Sequence, residues 1–154
     1  MKKSLILKII LSVTICLAVG GFSGYLTSGS ISNWYGYLNK PFFNPPDWVF
    51  GPVWTILYTL MAIAIWNVWI KSKNINVVYL YFIHLFFNTT WSVVFFGFNQ
   101  IELALINLIV LILFIVILFL KYKVISKLSA YLMIPYFLWC CFAFLLNLNL
   151  MVLN

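Results

Sequence analysis

Aromatic and amide side chains recur at helical spacing in this chain, and these residue types could hold a ligand. Asn88, Trp91 and Phe95 stand at i, i+3 and i+7, so they share one face of a helix, and His84 extends that face by one turn. Rings on such a face can stack on a flat apolar molecule, while an amide bonds its polar edge. Two other apolar stretches carry the same spacing, at Trp54 and Tyr58 and at Tyr136, Trp139, Ala143 and Asn147.

Two interpretations of these residues stay open. In the first, the rings line a pocket for a flat apolar ligand, and Asn88, Asn107 and Asn147 orient the polar edge of that ligand. In the second, they only pack helices together, because asparagine within a membrane often bonds across helices. The common direction of the aromatic faces, toward the proline-rich segment 34–46, favours the pocket.

Most other site chemistry is excluded because the chain has few ionisable groups. One His and two acidic residues cannot form a multi-ligand metal site or a Ser-His-acid triad within the membrane. His84 could be an axial haem ligand, but a single His near the start of an apolar stretch is more often an interfacial or packing group. We therefore expect no metal and no cofactor, and assign no catalytic residue.

The elements that position these side chains are predicted to be transmembrane helices. The chain has 154 residues, of which 66% are hydrophobic and 7% charged, and its mean hydropathy is +1.11. A soluble fold of this size cannot bury that much apolar surface. We predict one domain over residues 1–154, an all-α bundle of five transmembrane helices with a structured loop between the first two. The predicted spans are 5–26, 48–70, 77–98, 103–120 and 128–150.

The lysines indicate how the five predicted spans are oriented. Only Lys40 falls on the opposite side of this arrangement from the others, which are Lys2, Lys3, Lys8, Lys71, Lys73, Lys121, Lys123 and Lys127. Lysine is enriched in cytoplasmic segments, so the N-terminus is predicted to be cytoplasmic and the C-terminus outside, in a bacterial cell membrane. We interpret the net charge of +7 as this topology signal plus contact with anionic lipids, without nucleic acid.

The segment between the first two predicted spans is predicted to form a rigid cover over the bundle. Residues 34–58 contain three Trp and four of the five Pro. Proline restricts the backbone, and aromatic rings favour the membrane interface. The remaining proline, Pro135, lies inside the last predicted span and should bend it. Gly20 and Gly24 form a GxxxG pair that could serve close packing within the chain or in a homodimer.

Three segments of this chain resemble the translocator protein family, also called the tryptophan-rich sensory protein or peripheral benzodiazepine receptor family. They read WYxxLxKPxFxPPxWVFGPVWTxLY over 34–58, NxxWSxxFFG over 88–97 and PYxxWxxFAxxLN over 135–147. The resemblance implies a five-helix bundle, commonly dimeric, that binds porphyrins, sterols or drug-like molecules beneath the first long loop. It places ligand contacts at Tyr35, Pro45, Trp54, Asn88, Trp91, Trp139, Ala143, Leu146 and Asn147.

Two departures from the family pattern limit what the resemblance implies. Many relatives carry Asp in the fourth span where this chain has Asn107, which removes an ionisable group. The animal members' sterol motif, a Tyr followed by Arg near the C-terminus, is absent because no basic residue follows Lys127. Sterol handling is therefore not supported.

The function favoured at this point is a membrane protein that senses, carries or buffers porphyrins or similar flat hydrophobic ligands. An alternative comes from family members associated with light-dependent porphyrin breakdown, which would make this an enzyme acting through Trp54 and Trp139. A third possibility is a structural helper in a membrane complex. The expected partners are a planar hydrophobic molecule, membrane lipids and, optionally, a second copy of the chain.

Overall fold

The part of the chain described by the structure, a computed structural model, consists of residues 33–154 and of positions 13, 14, 16–18, 20, 21, 25 and 29. Within that part, all regular structure is helical and there is no strand. The described positions inside the predicted first span, 5–26, have helical backbone. The rest of that span lies outside the described residues.

Four segments of the described chain are helical, long enough and apolar enough to cross a membrane. The second to fifth predicted spans are therefore confirmed as apolar helices, whereas a fifth crossing stays a prediction. The helices are α1 (Asp47–Ser72), α2 (Ile75–Ser92), α3 (Ile101–Ile125), α4 (Lys127–Leu132) and α5 (Ile134–Leu153), with a short 3-10 helix at Tyr35–Tyr37 and a π-helical turn at Val93–Gly97 that continues α2.

The hairpin between α1 and α2 is set by local residues. Lys73 adopts a left-handed backbone with φ 48°, and its N–H donates to the Trp69 carbonyl at 2.9 Å, which ends α1. The side chain of Asn74 then accepts from the N–H of Asn76 at 3.1 Å and caps the start of α2. This tight connection makes the two helices antiparallel.

The last predicted span is interrupted rather than smoothly bent. Helix α4 ends at Leu132, Met133 forms a turn, and Pro135 lies in the first turn of α5, where its missing N–H costs nothing. The predicted position of Pro135 inside one continuous helix is therefore wrong, because the proline lies at the start of a separate helix. Helix α3 continues past the predicted end at 120 to Ile125, because the stems of Lys121 and Lys123 can extend along apolar surface toward water.

The antiparallel helices give the bundle two distinct ends. At the loop end lie segment 34–46, the starts of α1 and α3, and the ends of α2 and α5. At this end, the first turns of α1 and α3 carry Asp47 and Glu102, the two acidic residues of the chain. At the lysine-rich end lie the hairpin between α1 and α2 and the start of α4, with Lys71, Lys73, Lys121, Lys123 and Lys127.

Described positions of the first helical segment pack against α1 and α2. The Cys16 Sγ lies 3.0 Å from the Tyr81 hydroxyl. A Cβ added to Gly20 would overlap the ring of Tyr58, approaching its Cδ2 to 2.8 Å. Gly20 therefore serves a close contact inside the chain. Gly24 lies outside the described residues, and association of two copies stays a prediction.

Candidate ligand-binding site

Segment 34–46, which we call the lid, is held together by its own side chains. The Tyr35 hydroxyl donates to Asn44 Oδ1 at 2.6 Å, and Asn44 Nδ2 donates to the Pro45 carbonyl at 3.0 Å. The Lys40 ammonium lies 4.2 Å from the Tyr35 ring centroid, a cation–π contact. Burial raises the pKa of Tyr35 to about 12, and the nearby Asp47 carboxylate adds to this shift. The hydrogen bond to Asn44 acts in the opposite direction and lowers the pKa. The phenol is therefore neutral at physiological pH.

The lid rests on the π-helical turn that ends the second span. The Trp34 and Phe95 ring centroids are 5.3 Å apart, and those of Tyr35 and Phe96 are 5.6 Å apart, both edge to face. A π turn adds a residue to the helical repeat, which lets Phe95 and Phe96 both face the lid. The lid thus packs on rings of another helix.

A second attachment ties the lid to the end of α5. The Asn39 N–H donates to Asn154 Oδ1 at 2.9 Å, and Asn154 Nδ2 donates back to the Asn39 carbonyl at 3.2 Å. Asn39 Nδ2 also donates to the Leu153 carbonyl at 3.3 Å. This set of three bonds, called here the latch, is solvent-exposed. It fastens the lid with bonds that water can replace.

Beneath the lid lies a small cavity walled by rings from α1, α2 and α5, which we call the loop cavity. Its volume is about 30 Å³, room for one or two water molecules. Sites for drug-sized ligands are roughly 300–1,000 Å³. A larger guest therefore requires the lid and some of the rings to move apart.

Stacked and tilted rings form most of the cavity wall. Trp91 stacks on Phe95 with centroids 5.7 Å apart and planes 19° apart, and Trp54 lies 6.4 Å from Trp91. Across the cavity, Phe50 contacts Trp139 edge to face at 6.1 Å. These surfaces are suited to a flat aromatic guest.

Two residues bring unpartnered polar atoms to the same cavity. Asn147 is only 2% exposed, and neither its Nδ2 nor its Oδ1 has a hydrogen-bond partner. The Trp91 Nε1 is also buried without a partner. Leaving such groups unbonded costs about 1–3 kcal/mol each. The wall of the cavity therefore holds three unbonded polar atoms, which a guest can reach only after the surrounding side chains move apart.

One helical turn further from the lid, hydrogen bonds join the helices in what we call the polar layer. The Tyr58 hydroxyl donates to Asn88 Oδ1 at 2.6 Å, and Asn88 Nδ2 donates to the Tyr136 hydroxyl oxygen at 2.8 Å. His84 Nε2 lies 2.9 Å from the same oxygen, and the ring is completely buried. The expectation of a packing role for His84 is confirmed, whereas an interfacial position is wrong because α2 begins well before it, at Ile75.

The structure brings most of the predicted site residues together and places three elsewhere. Pro45 lies in the lid and accepts from Asn44, while Asn88 belongs to the polar layer. Asn107 Nδ2 donates to Thr90 Oγ1 at 2.9 Å, which joins α3 to α2 away from the cavity. The predicted residues that line the cavity are Tyr35, Trp54, Trp91, Trp139, Ala143, Leu146 and Asn147.

Sequence reasoning left several cavity residues unassigned. Phe50 stands four residues before Trp54, and Phe142 three after Trp139, so helical spacing could have found both. Phe96 follows from the π turn, for which the sequence offers no comparable signal. The cavity residues that were not assigned as ligand contacts are Phe50, Phe96, Phe142 and Leu150, together with Phe95, which was predicted only to share the ring-bearing face of Asn88 and Trp91.

Fold and site together define a membrane-type helical protein with an aromatic cavity under a loop, and comparison with known proteins identifies its family. The model of the TspO/MBR family matches residues 12–153. The tryptophan-rich protein TspO of Chlorobaculum tepidum is 40% identical over 154 residues, covering 97% of each chain. The translocator protein of Homo sapiens is 33% identical over 140 residues, covering 87% of this chain and 83% of the human one. The chain belongs to the TspO/MBR family.

Proposed function

We propose that this protein binds porphyrins or similar flat hydrophobic molecules in the loop cavity and acts as their sensor, carrier or buffer in the membrane. The observation that carries the proposal is the convergence of indole rings from three helices on a cavity that also holds the unpartnered amide of Asn147. Packing alone would favour a bonded or apolar residue there.

Binding requires the lid to open, because the cavity is far smaller than such a ligand. The guest would then lie between Trp54 and Trp139, each ring contact contributing about 0.5–1.5 kcal/mol beyond area burial. Asn147 and Trp91 would bond its polar edge, using atoms that are unpartnered in the closed form. The polar layer beneath would keep the floor in place.

The test is a protoporphyrin titration of the full chain in lipid nanodiscs, followed by porphyrin absorbance. Trp139→Ala should weaken binding several-fold, because it removes one wall of the site. The matched control is Trp48→Ala, since Trp48 is 75% exposed and does not line the cavity. Equal affinities of the wild type and Trp139→Ala would refute this arrangement.

A second candidate, an enzyme that degrades bound porphyrin in the light, is favoured by the ring contacts of Trp54. Its ring centroid lies 5.5 Å from that of Tyr58 and 6.3 Å from that of Tyr136, so electrons taken from the illuminated porphyrin could leave the cavity through these rings, with dissolved dioxygen as the oxidant that finally accepts them. Illumination with protoporphyrin should then convert its absorbance spectrum. Replacing Trp54 and Trp139 by Phe should abolish the conversion, and persistence at the same rate would reject this candidate.

The charge distribution supports placing the lysine-rich end in the cytoplasm of a bacterial cell. Lys40→Cys and Lys73→Cys, made separately, lie at opposite ends of the bundle. A membrane-impermeant maleimide added to intact cells should label only the variant at position 40. Labelling of the wild-type chain, which has three cysteines of its own, gives the background. Labelling only at position 73 would reverse the proposed topology.

A further inference from the structure

A second cavity lies near the lysine-rich end of the bundle, away from the lid. Its volume is about 240 Å³, several times that of the loop cavity. Helix α1 contributes Trp66 and Trp69, helix α2 contributes Val78 and Phe82, and Cys16 closes one side. We call it the lower groove. Nothing in the proposed porphyrin site uses it.

The walls of the lower groove are apolar, and the groove faces outward. The hydroxyl of Tyr81, another lining residue, is already bonded to the Cys16 Sγ at 3.0 Å. Ile75 and Phe82, at its rim, are 47% and 53% exposed, so the groove opens on the outer surface of the described part of the bundle. The Trp66 Nε1 is buried without a partner and is not exposed to the groove, so the walls offer only apolar surface.

The position along the helix axis places the groove just beneath the membrane surface. Trp69 and Trp66 precede the end of α1 at Ser72, and at a rise of 1.5 Å per residue they lie about 5 and 9 Å from that end. Helix α1 exceeds the roughly 30 Å hydrocarbon core by several ångströms. The groove therefore begins at the level where ester carbonyls give way to acyl chains.

The charges around the mouth of the groove are of one sign. Lys73 is exposed two residues before the rim residue Ile75, whereas the Lys71 ammonium donates to the Ser126 hydroxyl, between α3 and α4, at 3.1 Å. The acidic residues Asp47 and Glu102 both stand at the opposite end of the bundle. An anionic group near Lys73 would meet no carboxylate of the described chain.

We propose that the lower groove binds an acyl chain of an anionic phospholipid. The acyl chain fills the apolar groove, and the phosphate lies next to Lys73. Apolar burial supplies the affinity and the lysine supplies the headgroup preference. This site is separate from the porphyrin site and does not depend on it.

The experiment uses the full chain in phosphatidylcholine vesicles that contain a low fraction of phosphatidylglycerol brominated on its acyl chains. Bromine quenches indole emission on contact, so Trp66 and Trp69 report occupancy. Wild type should show a saturable loss of emission that unbrominated phosphatidylglycerol reverses. Brominated phosphatidylcholine at the same fraction should quench less.

Substitutions test whether this loss of emission arises from lipid in the lower groove. Val78→Phe fills the groove and should remove the saturable loss, whereas Val116→Phe, the same change at a 37% exposed position of α3, should keep it. Lys73→Gln should abolish the preference for phosphatidylglycerol, and Lys40→Gln, at the loop end, should not. Equal quenching by both lipids, or quenching unaffected by Val78→Phe, would overturn the proposal. Should Val78→Phe fail to fold, failure of unbrominated lipid to compete in wild type overturns it.

Discussion

The polar layer and the loop cavity are adjacent, lie on the same three helices and use the same residue types, yet they differ in how polar groups are satisfied. In the polar layer both ends of the Asn88 amide are bonded, at 2.6 and 2.8 Å. In the cavity neither end of the Asn147 amide has a partner, although both asparagines are 2% exposed. Burial alone therefore does not distinguish structural from ligand-binding asparagine.

The difference shows how the bundle divides two tasks. The hydrogen bonds of the polar layer fix the relative positions of α1, α2 and α5, because each of them crosses from one helix to another, although the buried His84 Nδ1 has no partner. The loop cavity, one helical turn closer to the lid, retains unbonded polar groups and encloses only a small volume. Proteins commonly concentrate such unfavourable features at functional sites. Stability and binding should thus respond in opposite ways to changes in the two regions.

The largest effect is expected from breaking the polar layer. Asn88→Ala leaves the hydroxyls of Tyr58 and Tyr136 without that partner in the core, and should lower the free energy of unfolding by about 1–3 kcal/mol. The control is Asn149→Ala, whose amide donates to the Leu145 carbonyl of its own helix. Unfolding in mixed micelles measures both. Equal stability of the two variants would show that the polar layer contributes no more to the free energy of unfolding than a hydrogen bond within one helix.

The reverse pattern is expected in the cavity. Asn147→Leu removes unbonded polar atoms, so the free energy of unfolding should stay constant or rise, while porphyrin affinity should fall about tenfold, equivalent to about 1.4 kcal/mol. Asn149→Leu, two residues further along α5, controls for the substitution itself. A loss of stability in Asn147→Leu would place this residue with Asn88 as a packing group and remove the contrast.

An intermediate effect is expected from alkaline pH, through the lid. Burial raises the pKa of Tyr35 from 10.0 to about 12, so the closed lid favours the neutral phenol. The stability that Tyr35 gives the lid is complete below pH 10 and is lost as the pH rises toward 12. The rate of porphyrin association should rise over that range in wild type but not in Tyr35→Phe.

The control for the alkaline experiment is Tyr37→Phe. Tyr37 belongs to the same 3-10 helix as Tyr35 but is 85% exposed. Its variant should keep the pH dependence of the wild type. If Tyr35→Phe also keeps it, another group controls the lid.

Helical spacing predicted which faces of the spans carry rings, because side chains three or four residues apart must share a face. It identified Trp54, Trp91 and Trp139 as neighbours of one cavity. It did not distinguish Asn88 from Asn147, because spacing gives the helix face on which a residue lies and not the partners that it meets on other helices. Whether a tyrosine hydroxyl lies opposite an asparagine depends on the tertiary structure.

Helix ends and irregular turns were predicted less well. The cover over residues 34–46 followed from prolines and aromatics, but its contact with Phe96 depends on a π turn that composition does not reveal. The end of α3 was placed too early because lysines were treated as boundaries, although Tyr122 between them is buried. The cavity volume could not be predicted, since it depends on how closely rings of different helices pack.

The smallest effect is expected from the latch, where the contrast between the two regions becomes kinetic. Asn154→Ala removes two exposed hydrogen bonds that hold the lid to α5, so the lid should open more often. If these bonds contribute about 0.5–1 kcal/mol, porphyrin should associate about two- to fivefold faster in stopped-flow measurements. Dissociation should accelerate similarly, which leaves the affinity nearly constant. Asn149→Ala should keep wild-type rates, and unchanged rates in Asn154→Ala would mean that ligands reach the cavity by another route, such as between the helices.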